Sequence, residues 1–400
     1  MSEILNDRRA VGNVWRLAAA QALAGGNASV IFATAAIVGS TMAPDKSLAT
    51  LPISIFVVGM ALATLPAGWL ARHYGRRVTF LSGAGLGGIG GLICAAGILT
   101  SSFALYCVGT LLCGLYSAIS QSYRFAATDT ASEAYKPKAI SYVMAGGVLA
   151  GVLGPQLVQF TMNVWPPYLF AASYVAQALV AVVAMIVLAG IDIPVPSSVS
   201  MRAGRPLMEI VRQPKFIIAA LCGTVSYVLM NLVMTSAPLA MKICGLSLSQ
   251  SNYGIQWHIV AMFGPSFFTG TLIARFGVHR IVFTGMVLIA LCAVVDLAGI
   301  GVWNFWIGLI LLGLGWNFGY IGATAMVVAT HRPEERNKVQ AFNDFLIFGT
   351  MAFGSFASGH LLEVYGWSVV NWVVFPPIIV GILALWLSAR WKRNTATASS

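Results

Sequence analysis

Charged side chains are scarce in this sequence. Aspartate, glutamate, lysine and arginine make up 9% of its 400 residues, against roughly 25% in soluble globular domains, which excludes an ordinary water-soluble fold. Acids are the scarcer sign, twelve against 23 lysines and arginines. A proton-coupled membrane device ordinarily relies on an ionisable group at mid-depth, and the acids in or beside apolar runs sit towards the ends: Asp296 and Glu363 towards one face, Asp129 and Asp344 towards the other. The six cysteines (Cys94, Cys107, Cys113, Cys222, Cys244, Cys292) lack paired metal-ligand spacing and read as buried structural residues. With no metal-ligand cluster, no Ser/His/Asp set at a plausible depth and no soluble catalytic segment, neither an enzyme nor a metal or cofactor is expected. The glycines between Gly83 and Gly91 are too loosely spaced, and follow no strand, for a phosphate loop. No A-x-A cleavage pattern follows the first apolar run, so that run is expected to be retained.

What fills the chain instead is hydrocarbon. Hydrophobic residues make up 58% of it. Lipid offers no partner to a bare peptide group, so a crossing chain satisfies its amides within helices of ~20 mainly apolar residues. Twelve such runs can be drawn, over residues 14 to 41, 47 to 71, 78 to 99, 103 to 125, 139 to 161, 166 to 190, 216 to 241, 250 to 274, 281 to 300, 303 to 330, 339 to 362 and 371 to 390. The expected fold is an all-α integral membrane protein of twelve transmembrane helices in two six-helix halves. A net charge of +11 could suggest nucleic acid, but its placement argues for topology. All lysines and arginines except Lys46 and Lys242 fall at the termini or at alternate connections. That is the positive-inside asymmetry of a multi-pass protein of the cell inner membrane with both termini cytoplasmic. Residues 191 to 215 break the pattern, with Pro194, Pro196, Pro206 and Pro214 among Arg202, Arg205, Arg212 and Lys215. They read as a cytoplasmic linker between a half at 1–190 and a half at 216–400 that ends in a short basic tail.

A repeat supports the two halves. Gly68-Trp69-Leu70-Ala71-Arg72-His73-Tyr74-Gly75-Arg76-Arg77 is expected to form a short hairpin loop, and it is echoed 202 residues later by Gly270-Thr271-Leu272-Ile273-Ala274-Arg275-Phe276-Gly277-Val278-His279-Arg280. Together with the span count and the central basic linker, these residues resemble the major facilitator superfamily over essentially the whole chain. Gly68, Leu70, Ala71, Gly75, Arg76 and Arg77 are similar to that family's signature G-x-L-A-D-R-x-G-R-R. Arg124 is similar to its fourth-span arginine, and Gly147, Gly151, Gly154 and Pro155 are similar to its fifth-span glycine-proline motif. Arg72 stands where the family has an acid, which puts the usual charge latch in doubt. The resemblance implies alternating access, two halves rocking about a site near the midplane.

Polar and aromatic residues inside the spans are the candidates for that site. Asn27 faces the bundle interior or makes an interhelical hydrogen bond. If the fourth span is one helix, Tyr116, Ser120, Tyr123 and Arg124 share a face. Arg124 then either snorkels or pairs with Asp129 or Glu133, or serves binding or gating. His258 either relays protons or packs. Trp316, Asn317 and Tyr320 are the strongest substrate-contact candidates, with ordinary packing around a satisfied asparagine as the alternative. With Gln121, Gln156, Tyr227, Asn231 and Trp257, these side chains offer amides and aromatic faces and little fixed charge beyond Arg124. Such a lining suits a neutral, flat, hydrogen-bonding organic molecule. Within the superfamily the chain resembles bacterial riboflavin transporters, which implies uptake of a flavin. The alternatives are a multidrug or metabolite exporter working by proton antiport and a non-transporting membrane sensor or scaffold. Gly68, Arg72, Gly75, Arg76, Arg77, Arg124, Gly154, Pro155, His258 and Asp344 are the expected gating or coupling residues. The expected partners are a small-molecule substrate, the lipid bilayer and, for a coupled carrier, protons, with the chain working as a monomer.

Overall fold

The structure, a computed structural model, describes residues 2–127, 129–131, 136–194, 204–332 and 335–397. Regular structure among these residues is entirely helical. The helices are α1 (Ser2–Met42), α2 (Leu51–Leu99), α3 (Phe103–Ser120), α4 (Tyr123–Ala126), α5 (Lys136–Thr161), α6 (Ala171–Ala189), α7 (Leu207–Val211), α8 (Pro214–Ile243), α9 (Leu248–Phe263), α10 (Ser266–Phe276), α11 (Val278–Leu297), α12 (Val302–Val328), α13 (Arg336–Trp372) and α14 (Phe375–Thr397).

Among the described residues, ten helical segments are long and apolar enough to cross a membrane, or eleven if α9 and α10, bent by 44°, form one span. The outer surface carries bulky apolar side chains that water would not tolerate: Leu65, Phe160, Ile186 and Phe353 are 68%, 78%, 70% and 79% exposed. A belt of this extent marks a lipid-solvated face, and the protein is a multi-pass membrane protein.

Local sequence sets where the helices start and break. Ser102 caps α3 by accepting from the Leu105 amide at 3.3 Å. Ser247 and Gln250 form a reciprocal capping box at the start of α9. Where a hairpin loop is expected around Gly75, two helices instead meet at that single residue, with φ 82° and ψ 169°. Gly277, its counterpart in the echo, joins α10 to α11 with φ 85° and ψ 144°. Both values lie where a side chain is strained, so the repeat is conformational as well as compositional. The fourth span is not one helix: α3 ends at Ser120, a turn follows at Gln121 and Ser122, and α4 restarts at Tyr123.

Within the bundle α1 packs on α5, α2 on α3 and α6, α8 on α12 and α13, and α12 on α9 and α11. Contacts between the first and second parts of the chain run chiefly through α2 with α13 and α5 with α9.

Candidate functional site

Among the described residues, two cavities lie between these parts. The larger, about 80 Å³, is enclosed by α1, α2, α3, α5, α8, α9 and α13. Its walls differ in chemistry. Gln21 and Ser29, on one face of α1 with Ala24, Gly25, Ala28 and Phe32, join Ser117, Ser120 and Gln121 in supplying the polar groups of an otherwise apolar lining. Opposite stand Tyr227, Met230 and Met234 of α8, Met262 and Phe263 of α9 and Met351 of α13. Pockets for organic ligands occupy roughly 300–1,000 Å³, so the helices must part before such a molecule fits.

The smaller cavity, about 30 Å³, is lined by Gln121, Arg124, Met144, Tyr227, Phe263, Trp316, Tyr320, Ile321, Asp344 and Phe348. Gln121, Tyr227 and Phe263 line both cavities and form the partition. The aromatic rings brace one another: Tyr227 meets Trp316, Tyr320 and Phe348 edge-on with centroids 5.4, 4.9 and 5.8 Å away, and Trp316 stacks on Tyr320 at 5.1 Å. Arg124 and Asp344 act on one another electrostatically here, and Asn343 Nδ2 donates to Asp344 Oδ1 at 3.3 Å. The Trp316 Nε1 donor is buried with no hydrogen-bond partner among the described residues.

Other candidates fall elsewhere. Tyr116 and Tyr123 are buried in a core with Val14, Phe80 and Leu188, Tyr123 lying edge-on to Phe80 at 4.7 Å, whereas Arg124, the next residue of α4 and about 100° further round, lines the smaller cavity. Asn27 is buried but is not among the lining residues, since Ala28 and Ser29 occupy the cavity face of α1. Asn231 is likewise buried off the cavity. Gln156 donates from Nε2 to Gln256 Oε1 at 2.7 Å, and Trp257 is exposed and lines neither cavity. Asn317 has the structural role: its Nδ2 donates to the Met262 carbonyl and to Ser266 Oγ, and its Oδ1 accepts from Thr269 Oγ1 at 2.6 Å. His258 is also packed, its Nδ1 donating to the Leu309 carbonyl at 2.7 Å and tying α9 to α12. Asp129 takes Arg76 Nε at 3.1 Å, so that of the alternatives for Arg124 a pairing with Asp129 is not the one formed. Glu133 and the Arg72 side chain lie outside what the structure describes.

Sequence reasoning placed no individual methionine at the site. Met230 and Met234, with Tyr227, recur at helical spacing, and that was the available signal.

The end of the bundle away from Arg76 is stitched shut. Ser54 Oγ donates to Ser355 Oγ at 3.2 Å and Thr50 Oγ1 to the Ser355 carbonyl at 3.3 Å. Between α5 and α9, the Gln156–Gln256 bond is joined by Gln159 Nε2 donating to Ser249 Oγ at 2.9 Å and by Asn252 Nδ2 donating to the Pro155 carbonyl. On its other side α5 comes close to α1 at Gly154, where a Cβ would lie 2.5 Å from the Gly26 carbonyl oxygen.

The family profile described as Major Facilitator Superfamily matches residues 17–295 and 257–399. The chain belongs to the major facilitator superfamily. Its curated relatives in the superfamily include the riboflavin transporter RfnT of Brucella anthropi, 46% identical over 392 residues, which are 97% of this chain and 98% of that protein. Two uncharacterised superfamily transporters of Bacillus subtilis, YddS and YdeG, are each 29% identical, over 84% and 88% of this chain and 81% and 84% of their own lengths. The chain is thus a superfamily transporter, and family and relatives point to a non-enzymatic protein that moves a small molecule. Of its signature residues, Gly68 and Arg77 are exposed, Gly75 forms the break in α2, and Arg76 ties that break to Asp129.

Proposed function

We propose that this transporter carries riboflavin into the cell by alternating access. The observation that carries the reading is the two-sided lining of the larger cavity. A flavin is a flat tricycle whose faces suit thioether and aromatic contact and whose edge carries amide-like donors and acceptors for Gln21, Ser29 and Gln121. The 46% identity to a riboflavin transporter supports the same substrate.

In this reading the chain crosses the inner membrane twelve times with both termini cytoplasmic. The apolar stretch Lys338–Ser388 has 51 residues, far more than the ~20 of one crossing, and its break at Gly366, φ 78°, supports counting it as two. Residues 1–190 and 216–400 are the rocking halves and 191–215 the linker. The hydrogen bonds that close the end away from Arg76 then make this a state shut to the outside. Riboflavin enters the cavity from outside once those bonds part, and the cavity reopens inwards.

Labelled riboflavin uptake into proteoliposomes, with and without a pH gradient, tests this. Saturable uptake competed by unlabelled riboflavin is expected, and its absence sinks the reading. The five methionines in the cavity, Met60, Met230, Met234, Met262 and Met351, favour one alternative, a broadly selective exporter. Extrusion of unrelated dyes without riboflavin uptake would establish that instead.

A further inference from the structure

We infer that the smaller cavity is the subsite for the hydroxylated tail of the substrate, and that its paired charges make the carrier select the free vitamin over its phosphate ester. The inference rests on the flavin reading above and assigns the two ends of the ligand to two chambers.

The cavities share Gln121, Tyr227 and Phe263, so one elongated ligand reaches both when the two rings swing aside. The chambers differ in what they offer. The larger has no charged group in its lining, whereas the smaller brings together a guanidinium, a carboxylate, a phenol and an indole N–H within a ring of aromatics. A polyol is the ligand class that uses such a set, because each hydroxyl both donates and accepts. Arg124 and Trp316 supply donors, Asp344 an acceptor, and Tyr320 and Gln121 either. The Trp316 Nε1 supports this independently: the side chain is 5% exposed and the donor is buried without a partner among the described residues. A buried donor left unmade is costly, and a hydroxyl oxygen entering the chamber would satisfy it.

The same set rejects a phosphorylated tail. A phosphate monoester carries about −1.5 to −2 charges at pH 7 and would meet the Asp344 carboxylate as a like charge in a low-dielectric enclosure. Arg124, already acting on Asp344 and Tyr320, cannot neutralise both. Replacing Asp344 by a neutral isostere removes the like charge that faces the phosphate, so preference should move towards the ester.

Binding to the purified full chain, read by quenching of flavin fluorescence, tests this with three ligands: riboflavin, the tail-less analogue lumiflavin, and riboflavin 5′-phosphate. The unaltered protein should prefer riboflavin to the ester. Asp344→Asn should weaken riboflavin about ten- to hundredfold, as expected for a lost charged hydrogen bond, shift lumiflavin by less than about threefold, and narrow or reverse the preference over the ester. Trp316→Phe, which keeps the ring and removes only the donor, should weaken riboflavin about tenfold, again with little change for lumiflavin. If Asp344→Asn does not fold, Trp316→Phe and Tyr320→Phe carry the comparison. Equal losses for riboflavin and lumiflavin, or an ester preference unmoved by Asp344→Asn, overturn the subsite while leaving the flavin reading standing. An unaltered protein that binds neither riboflavin nor lumiflavin defeats the flavin reading itself.

Discussion

The Glu335 carboxylate sits just before α13, enclosed by its neighbours yet outside the membrane spans. It accepts from the amide and Nε of Arg205 at 2.8 and 2.9 Å, from Arg205 Nη2 at 2.7 Å and from the Arg332 amide at 2.9 Å. The Arg205 guanidinium, helped by the two amides, holds its pKa well below the ordinary value of 4.5. A depressed folded pKa means that the clamp contributes in full above 4.5 and loses its contribution as pH falls below that value. The melting temperature should therefore fall on acidification, and the gap between the unaltered protein and Glu335→Gln should shrink over the same range. A gap that stays constant down to strongly acidic pH would show that the clamp does not stabilise the fold through this charge. This contact was not legible in the sequence, since Arg205 and Glu335 are separated by 130 positions and six intervening helices. Nor was the rotation of each helix: Trp316 and Tyr320 line the small cavity, whereas Asn317, one residue and about 100° further round, points into α9 and α10. Composition identifies an amide in a span but not the side it faces.

Among the elements, the clearest signal was the spacing of the two glycine-bracketed stretches, and their central glycines share a backbone conformation. The environment of Gly277 separates two reasons for conserving volume there: a Cβ would meet nothing within 4 Å, so only its φ of 85° requires glycine. Gly277→Ala should cost about 1–3 kcal/mol, read as a lowered melting temperature. Gly270→Ala, in equally open space within α10 and without a positive φ, should be neutral or raise stability by up to about 1 kcal/mol. Equal losses at both sites would mean that crowding, not backbone strain, governs these positions. The interruption of the fourth span was invisible for a complementary reason. The turn at Gln121 and Ser122 contains neither Gly nor Pro, and the polar run from Ser120 to Ser122 marks an unusual membrane helix without marking a break. Yet that turn separates Tyr116 from Tyr123 and Arg124 and holds Gln121, which lines both cavities.

For the molecule as a whole, hydropathy and charge placement were enough to read a multi-pass helical bundle, because lipid leaves a crossing chain few other choices. Which helices meet across the cavity was not readable from either. The α2–α13 and α5–α9 seams follow from side-chain complementarity between distant segments. Ser54 and Ser355, with their hydroxyls 3.2 Å apart, offer a direct test of whether those seams open during transport. Ser54→Cys with Ser355→Cys should cross-link under oxidation and stop uptake, and reduction should restore it. Cross-linking that leaves the rate unchanged would remove this seam from the moving parts. Five of the six native cysteines are buried and would not compete. The methionine wall has a further consequence under the flavin reading. Flavins absorb blue light and pass the energy to dissolved oxygen, and thioethers beside the excited ring are oxidised to polar sulfoxides. A carrier holding that ring against Met230, Met234 and Met262 would therefore be worn out by its own cargo in daylight and preserved in the dark.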